Sequence, residues 1–304
     1  IKMQQEDVRD LVPVGIAAGI AAAFNAPIAA VMFVIEELLS HTYKPKNMGG
    51  IVFAAVVAAV VERMILGSNP IYNVDNMPAY DVDWWMLICI PIGILGGLSG
   101  SFFLKSLLFL RGYVLYEQKA LPIWARPAVG GLLMGIIATG VFITTDHNGL
   151  FSLGYDDLHN ALSGEIIGIT LLVLFVGKII TTLLCFSFGG SGGVFAPSLF
   201  LGTMMGAWMG YLLSYGLAID PDIIGGAALL GMGAFFAGLI RSPLTSVLII
   251  YEMTGNYSLI LPLMFGNMLA FSIAERLHPQ RFYDSILLQD GIKLSCHLDR
   301  DRGS

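Results

Sequence analysis

The chain has 304 residues, of which 56% are hydrophobic and 12% are charged, and its formal net charge at pH 7 is −6. Soluble domains carry roughly twice that share of charged residues, so the composition indicates an integral membrane protein and argues against nucleic acid as a partner. The three cysteines have neither metal-ligand spacing nor the pattern of a disulfide framework: Cys89, Cys185 and Cys296. We therefore expect no metal and no cofactor.

The first two apolar segments, residues 11–24 and 28–39, are short. Asn25-Ala26-Pro27 separates them, and Glu36 and Glu37 lie near the end of the second. A straight helix needs about 20 residues to cross a bilayer. The segments therefore predict broken or partly inserted helices, which a membrane tolerates only where protein or a water-filled cavity surrounds the break.

Further apolar segments follow and predict more helices. They cover residues 48–66, 84–117, 127–143, 166–188, 198–213, 223–240, 244–253 and 259–273. Residues 144–164 are predicted to form a connection with one short apolar piece, and residues 274–304 a polar tail. Lysine and arginine are scattered too evenly for the positive-inside rule to predict the orientation.

A glycine-rich segment, Gly189-Gly190-Ser191-Gly192-Gly193-Val194-Phe195-Ala196-Pro197, joins two of these helices. Its glycines leave the backbone bare of side chains, and Pro197 suits the first turn of the next helix. The first amides of a helix lack intrahelical partners and carry partial positive charge. Since no Asp, Glu, Lys or Arg lies between Lys178 and Asp220, the segment predicts a site where a small anion binds and leaves. The alternative is a bend that lets two helices pack closely.

An internal repeat relates two parts of the chain. Residues 15–36 align with residues 231–252 without a gap, and Pro27 then coincides with Pro243. Repeats that contain interrupted helices are typical of transporters, whose substrate site lies where the repeats meet.

The same alignment separates two neighbouring glutamates. Glu36 coincides with Glu252, which predicts a shared structural role such as bonding to a neighbouring helix end. Glu37 coincides with Met253. An unpaired carboxylate at the end of an apolar helix is costly unless it reaches water or is protonated, so Glu37 is either a functional group or a solvated residue at the membrane interface.

Six motifs, in order and spacing, resemble the CLC family of chloride channels and proton-coupled chloride exchangers over nearly the whole chain. They are Gly19-Ile-Ala-Ala-Ala-Phe-Asn-Ala-Pro27, Phe33-Val-Ile-Glu-Glu37, Gly192-Gly-Val-Phe-Ala-Pro197, Ile240-Arg-Ser-Pro-Leu-Thr245, Glu252-Met-Thr254 and Tyr283-Asp-Ser-Ile-Leu287.

The resemblance implies an all-α, multi-pass membrane protein with a CLC-type transmembrane domain of two inverted repeats, containing broken and partly inserted helices. This domain is expected over residues 1–286, with its N-terminal part upstream of Ile1, and a cytoplasmic tail over residues 287–304 that resembles the lead into CBS domains. A homodimer is implied, with one anion pathway in each subunit, in the cell membrane and specifically the inner membrane of a prokaryote.

The resemblance also implies roles for particular residues. The backbone amides of Val194 and Phe195 and the hydroxyl of Tyr283 are expected to bind chloride, next to the anion loop formed by Gly192 and Gly193. In the exchangers the second glutamate of Phe33-Val-Ile-Glu-Glu37 takes protons from the inner side, and in the channels it is generally uncharged. Glu37 therefore favours a proton-coupled chloride antiporter.

Other functions remain open alternatives at this stage. They are a passive voltage-gated-type chloride channel of the same fold and, more distantly, a cation-coupled small-molecule symporter. The family motifs Gly-Ser-Gly-Ile-Pro and Gly-Arg-Glu-Gly-Pro, which carry the central serine and the outer gate, are expected upstream of Ile1, so the choice among chloride, nitrate and fluoride stays open. An enzyme is not expected, because the histidines lie in polar segments without a Ser/His/Asp grouping: His41, His147, His159, His278 and His297.

Overall fold

The computed structural model describes residues 5–38, 48–67, 72, 82–117, 122–190, 192–217 and 222–292. Of the residues named above, Ile1, His41, Ser191, Asp220, Cys296 and His297 lie outside these ranges. Over the described residues the chain is helical and forms no strand. The helices are α1 (Gln5–Phe24), α2 (Pro27–Phe33), α3 (Met48–Leu66), α4 (Val82–Gly112), α5 (Arg126–Thr145), α6 (Tyr155–Leu162), α7 (Ile169–Ser187), α8 (Phe195–Leu217), α9 (Ile223–Ile240), α10 (Pro243–Thr254), α11 (Ile260–Leu277) and α12 (Phe282–Gln289).

Six helical stretches of the described chain are long and apolar enough to cross a membrane. They are Met48–Leu66, Leu87–Glu117, Arg126–Thr145, Ile169–Ser187, Ile223–Ile240 and Tyr257–Gln289. Two of these stretches continue through π-helical or 3-10 turns at Tyr113–Glu117 and Tyr257–Leu259. The predicted multi-pass membrane architecture is confirmed.

The predicted helix breaks are confirmed in both copies of the repeat. Asn25 ends α1 and Arg241 ends α9, with positive φ values of 47° and 73°. A residue in this left-handed conformation cannot continue a helix. Pro27 and Pro243 then start α2 and α10, because proline lacks the N–H that a first helical residue leaves unused.

Two regions differ from the sequence prediction. The connection 144–164 contains α6, a short amphipathic helix that buries Leu158 and Leu162. The predicted start of the polar tail at Ala274 is wrong, because α11 continues to Leu277 and α12 follows. Phe282 in α12 is completely buried. The charged residues next to it in the sequence make this segment look polar, so its composition did not predict the burial.

The domain boundary between residues 286 and 287 stays a prediction. Helix α12 runs across it to Gln289, and residues 293–304 are outside the described chain.

The core is organised around α9, every residue of which is buried. Helices α4, α8, α10 and α11 all pack against it. Small residues allow the closest approach: a Cβ added to Gly202 of α8 would lie 2.5 Å from the carbonyl oxygen of Gly231 in α9. Close contact between small residues is the usual way in which membrane helices gain packing energy.

Candidate functional site

The glycine-rich segment leads directly into α8. Ser198 N–H donates to the carbonyl of Val194 over 2.9 Å, which is the first backbone bond of the helix. The amides of Phe195 and Ala196 therefore precede any intrahelical partner, and Pro197 has no N–H. Val194 itself is buried. The backbone geometry leaves a short row of amides at the positive end of a 23-residue helix.

These amides border a cavity of about 450 Å³. Its wall is mostly apolar and comes from the end of α1, from α5 and α7, from the start of α6 and the loop that precedes it, and from the start of α8 with the glycine-rich segment before it. The lining residues include Phe24, Leu150, Ser152, Tyr155, Lys178, Thr181, Thr182, Cys185, Phe186, Gly192, Gly193, Phe195, Ala196 and Pro197. The structure thus brings the predicted anion loop to a space that can admit a small anion.

Phe195 lies where the two repeats meet. Its ring centroid is 4.8 Å from that of Phe24 in α1 and 5.6 Å from that of Phe33 in α2. On the other side, the ring of Phe236 in α9 is 4.8 Å away. Aromatic pairs at these distances pack favourably. The start of α8 is therefore held by broken helices of both repeats.

Tyr283 belongs to α12 and is not one of the residues that line the cavity. It connects to the cavity wall indirectly: its ring centroid is 5.2 Å from that of Phe282, and Phe282 is 6.1 Å from Phe186, which does line the cavity. Gly192, Gly193 and Phe195 therefore line the same cavity. Tyr283 is connected to the cavity wall only through the two successive aromatic contacts with Phe282 and Phe186.

Each repeat stabilises the helix that begins at the break of the other. The Glu252 carboxylate accepts hydrogen bonds from the N–H groups of Ile28 at 3.0 Å and Ala29 at 2.7 Å. These are the second and third residues of α2, and Ala26 before the helix makes no side-chain cap. Glu252 thus supplies the bonds that an N-cap side chain normally makes.

Glu36 makes the corresponding contacts with α10. Its carboxylate accepts from the N–H of Leu244 at 3.1 Å and of Thr245 at 2.7 Å, and from the Thr245 hydroxyl at 2.6 Å. Ser242, which precedes the helix, makes no side-chain cap. The predicted structural role of the Glu36 and Glu252 pair is confirmed, and the contact is reciprocal.

We expect Glu252→Ala to lower the stability of the protein by about 1–2 kcal/mol, the cost of losing a helix cap, because two amides at the start of α2 lose their acceptor. Glu252→Gln keeps one acceptor oxygen and should cost less. The midpoint of thermal unfolding in detergent measures both. The exposed Glu165 is a matched control, and an equal effect of Glu165→Ala would contradict the capping role.

Glu37 occupies the π-helical turn Val34–Leu38 that follows α2, outside the six membrane-length helices. Only 8% of its surface is exposed, so the alternative of a solvated interfacial residue is wrong. The Ser242 hydroxyl donates to Glu37 Oε2 over 3.4 Å, and Arg281 Nη1 lies 3.6 Å from the same oxygen. Burial raises the pKa of Glu37 to about 7, against the opposing effect of the Arg281 guanidinium. This carboxyl group can therefore load and release a proton near neutral pH.

One charged cluster was missed by the sequence analysis. The Lys178 ammonium donates to the carbonyls of Gly149 at 2.6 Å and Ser152 at 2.5 Å. Asp157 accepts from the Gly149 N–H at 2.6 Å and lies 2.8 Å from His147 Nδ1. The signal was Lys178, a lone cation within an apolar segment. Its contacts hold the loop that forms one wall of the cavity.

Sequence comparisons point to chloride transport proteins. The family model described as "Voltage gated chloride channel" matches residues 1–275. The chain is 34% identical over 300 residues to the H(+)/Cl(-) exchange transporter ClcA of Vibrio campbellii, and 36% identical over 299 residues to that of Vibrio cholerae. Each match covers 94% of this chain and 60% of the Vibrio protein, so the chain spans less than two thirds of these relatives.

The fold is similar to that of a solved transporter. The crystal structure of a slow cyanobacterial Cl−/H+ antiporter matches with a TM-score of 0.73 and 31% sequence identity. The match covers 96% of this chain and 67% of that one. The predicted all-α, CLC-type transmembrane fold is confirmed.

Proposed function

The chain belongs to the CLC family of voltage gated chloride channel proteins, and from that premise we propose that it exchanges chloride for protons across a membrane. In this proposal the amides of Val194 and Phe195 bind chloride together with the hydroxyl of Tyr283, while Gly193 leaves access to the amides. Glu37 carries protons. The proposed working unit is a homodimer in the inner membrane of a prokaryote, with one anion pathway in each subunit.

The buried carboxyl of Glu37 is the observation that carries the choice of exchange over passive conduction. It lies beside Ser242, at the start of a helix, with its pKa near 7. A group that transfers protons works best when its pKa is close to the operating pH. An uncharged residue at this position, as in the channels that the sequence resembles, has no proton to transfer.

The anion half of the proposal rests on the start of α8. Backbone amides provide hydrogen bonds and partial positive charge without a formal charge, so an anion can bind and still be released. Lys178 is the nearest cation along the chain on the N-terminal side of the segment, and its ammonium is engaged by the carbonyls of Gly149 and Ser152.

Coupled flux measurements on the full-length protein test the proposal. Liposomes that contain the protein are loaded with chloride and diluted into low chloride, and chloride release and external pH are recorded together. An exchanger draws protons inward as chloride leaves, even against a proton gradient. Chloride release without proton movement would support the passive channel instead, and a requirement for a metal cation would support the symporter. Loading with nitrate or fluoride then ranks the anions.

We expect Tyr283→Phe to weaken chloride binding by about tenfold at most, because one neutral hydrogen bond contributes roughly 0.5–1.5 kcal/mol. Tyr283→Ala should have a larger effect, since it also removes the ring that packs against Phe282. Calorimetric titration of chloride measures both, with Tyr215→Phe on an 82% exposed tyrosine as the control. Complete loss of binding in Tyr283→Phe would mean that the hydroxyl is more than one ligand among several.

A further inference from the structure

Arg281 lies at the N-terminus of α12, the helix that carries Tyr283. Its backbone is extended, with φ −72° and ψ 162°. Its carbonyl accepts from both the N–H and the hydroxyl of Ser285, at 3.0 Å and 2.8 Å. These bonds place Arg281 at the N-cap position, so its side chain moves with the start of α12.

The Arg281 guanidinium contacts the two neighbouring glutamates in different ways. Nη1 donates to the backbone carbonyl of Glu36 over 2.5 Å and lies 3.6 Å from Glu37 Oε2. The first contact fixes the guanidinium against the backbone of the π-helical turn. The second sets a permanent positive charge beside the Glu37 carboxylate, since arginine stays protonated in proteins.

Several groups face Glu37 besides Arg281. Ser242 at the start of α10 donates a hydrogen bond, and Asp284 of α12 and the adjacent Glu36 contribute negative charge. Tyr283 of α12 also interacts electrostatically with Glu37. Among these groups Arg281 provides the positive charge. This charge opposes the protonation of Glu37, which burial and the carboxylates of Asp284 and Glu36 favour.

We propose that Arg281 is a positioning residue for proton transfer, which holds the Glu37 carboxylate in place and opposes its protonation from the same short helix that carries Tyr283. The proposal rests on the proposed function, because it assumes that Glu37 carries protons. It adds a direct link between the two parts of the site: a displacement of α12 that moves Tyr283 also moves the charge beside Glu37.

The test is the pH profile of chloride-driven proton flux, measured on the full-length protein in liposomes with the pH varied on each side in turn. Arg281→Gln removes the charge. A nearby cation stabilises the ionised carboxylate and lowers its pKa. Removing the Arg281 charge therefore raises the pKa of Glu37. When the pH is varied on the side of the membrane from which Glu37 takes protons, we expect the pH profile to move by about one unit to higher pH. Arg281→Lys keeps the charge and should shift the profile less.

Two further variants isolate the effect. Arg111 anchors the opposite end of α12 through Asp290 at 2.7 Å and Gln289 at 2.9 Å, so Arg111→Gln loosens the helix without altering the charge near Glu37. It should lower the unfolding temperature and leave the pH profile in place. In a Glu37→Gln background no coupled proton flux is expected, and adding Arg281→Gln should neither restore it nor change the remaining chloride flux.

The outcomes separate the two proposals. If Glu37→Gln uncouples protons but Arg281→Gln leaves the profile unchanged, the role of Arg281 is overturned and the exchange function stands. If chloride flux still drives proton movement in the Glu37→Gln variant, the proposed function itself fails. Should Arg281→Gln not fold, Arg281→Lys decides: a small shift to higher pH supports the role, and a profile identical to that of the original protein overturns it.

Discussion

Glu37→Gln is expected to leave chloride flux measurable and to abolish the proton movement coupled to it. Glutamine has nearly the shape of glutamate and can still accept from the Ser242 hydroxyl, but it cannot take up a proton. Because Glu37 is not one of the residues that line the cavity beside α8, the anion pathway should stay open. Simultaneous recording of chloride release and pH in liposomes measures the effect.

The adjacent Glu36 provides a matched control for this prediction. Its carboxylate bonds to the amides of Leu244 and Thr245 at the start of α10. Glu36→Gln should therefore reduce stability or rate and keep the ratio of chloride to protons. Proton movement against its gradient that is still driven by chloride in Glu37→Gln would contradict the role of Glu37.

Gly193→Val is expected to weaken chloride binding by at least about a hundredfold while the protein stays folded. No described atom lies within 4 Å of a Cβ built on Gly193, and this residue lines the cavity. We expect the new side chain to fill cavity space next to the start of α8, where a bound anion would sit, without displacing packed neighbours. Loss of two hydrogen bonds to a charged ligand, each contributing about 1.5–3 kcal/mol, accounts for the size of the effect.

Neighbouring residues distinguish obstruction from misfolding. Val194→Leu keeps the backbone and should change chloride affinity little. At Gly192 an added Cβ would lie 2.7 Å from the Cys185 sulfur, so Gly192→Val should lower the unfolding temperature as well as binding. Calorimetric titration and thermal unfolding on the same samples measure both quantities. Equal losses of affinity in Gly193→Val and Val194→Leu would refute a site made of backbone.

Much of the fold could be predicted because it depends on local chemistry. The apolar segments predicted where the helices lie, and α9 was predicted with its observed ends, Ile223 and Ile240. Segment 259–273 was predicted as short, but the structure places it in the membrane-length stretch Tyr257–Gln289. The breaks before Pro27 and Pro243 follow from the missing N–H of proline. The correspondence of Glu36 with Glu252 could be predicted because the internal repeat is visible in the sequence alone.

The tertiary structure alone decided which groups meet. The bond between Thr245 and Glu36 joins residues 209 positions apart, and that between Arg281 and Glu36 joins residues 245 positions apart. The burial of Glu37 likewise depends on the approach of α10 and α12. No local pattern encodes these contacts, because the free energy that holds them comes from the packing of distant helices around α9. The sequence by itself determined a membrane protein with two matching broken helices and a glycine-rich segment at the start of α8, and the packing decided which carboxylate caps a helix and which is buried.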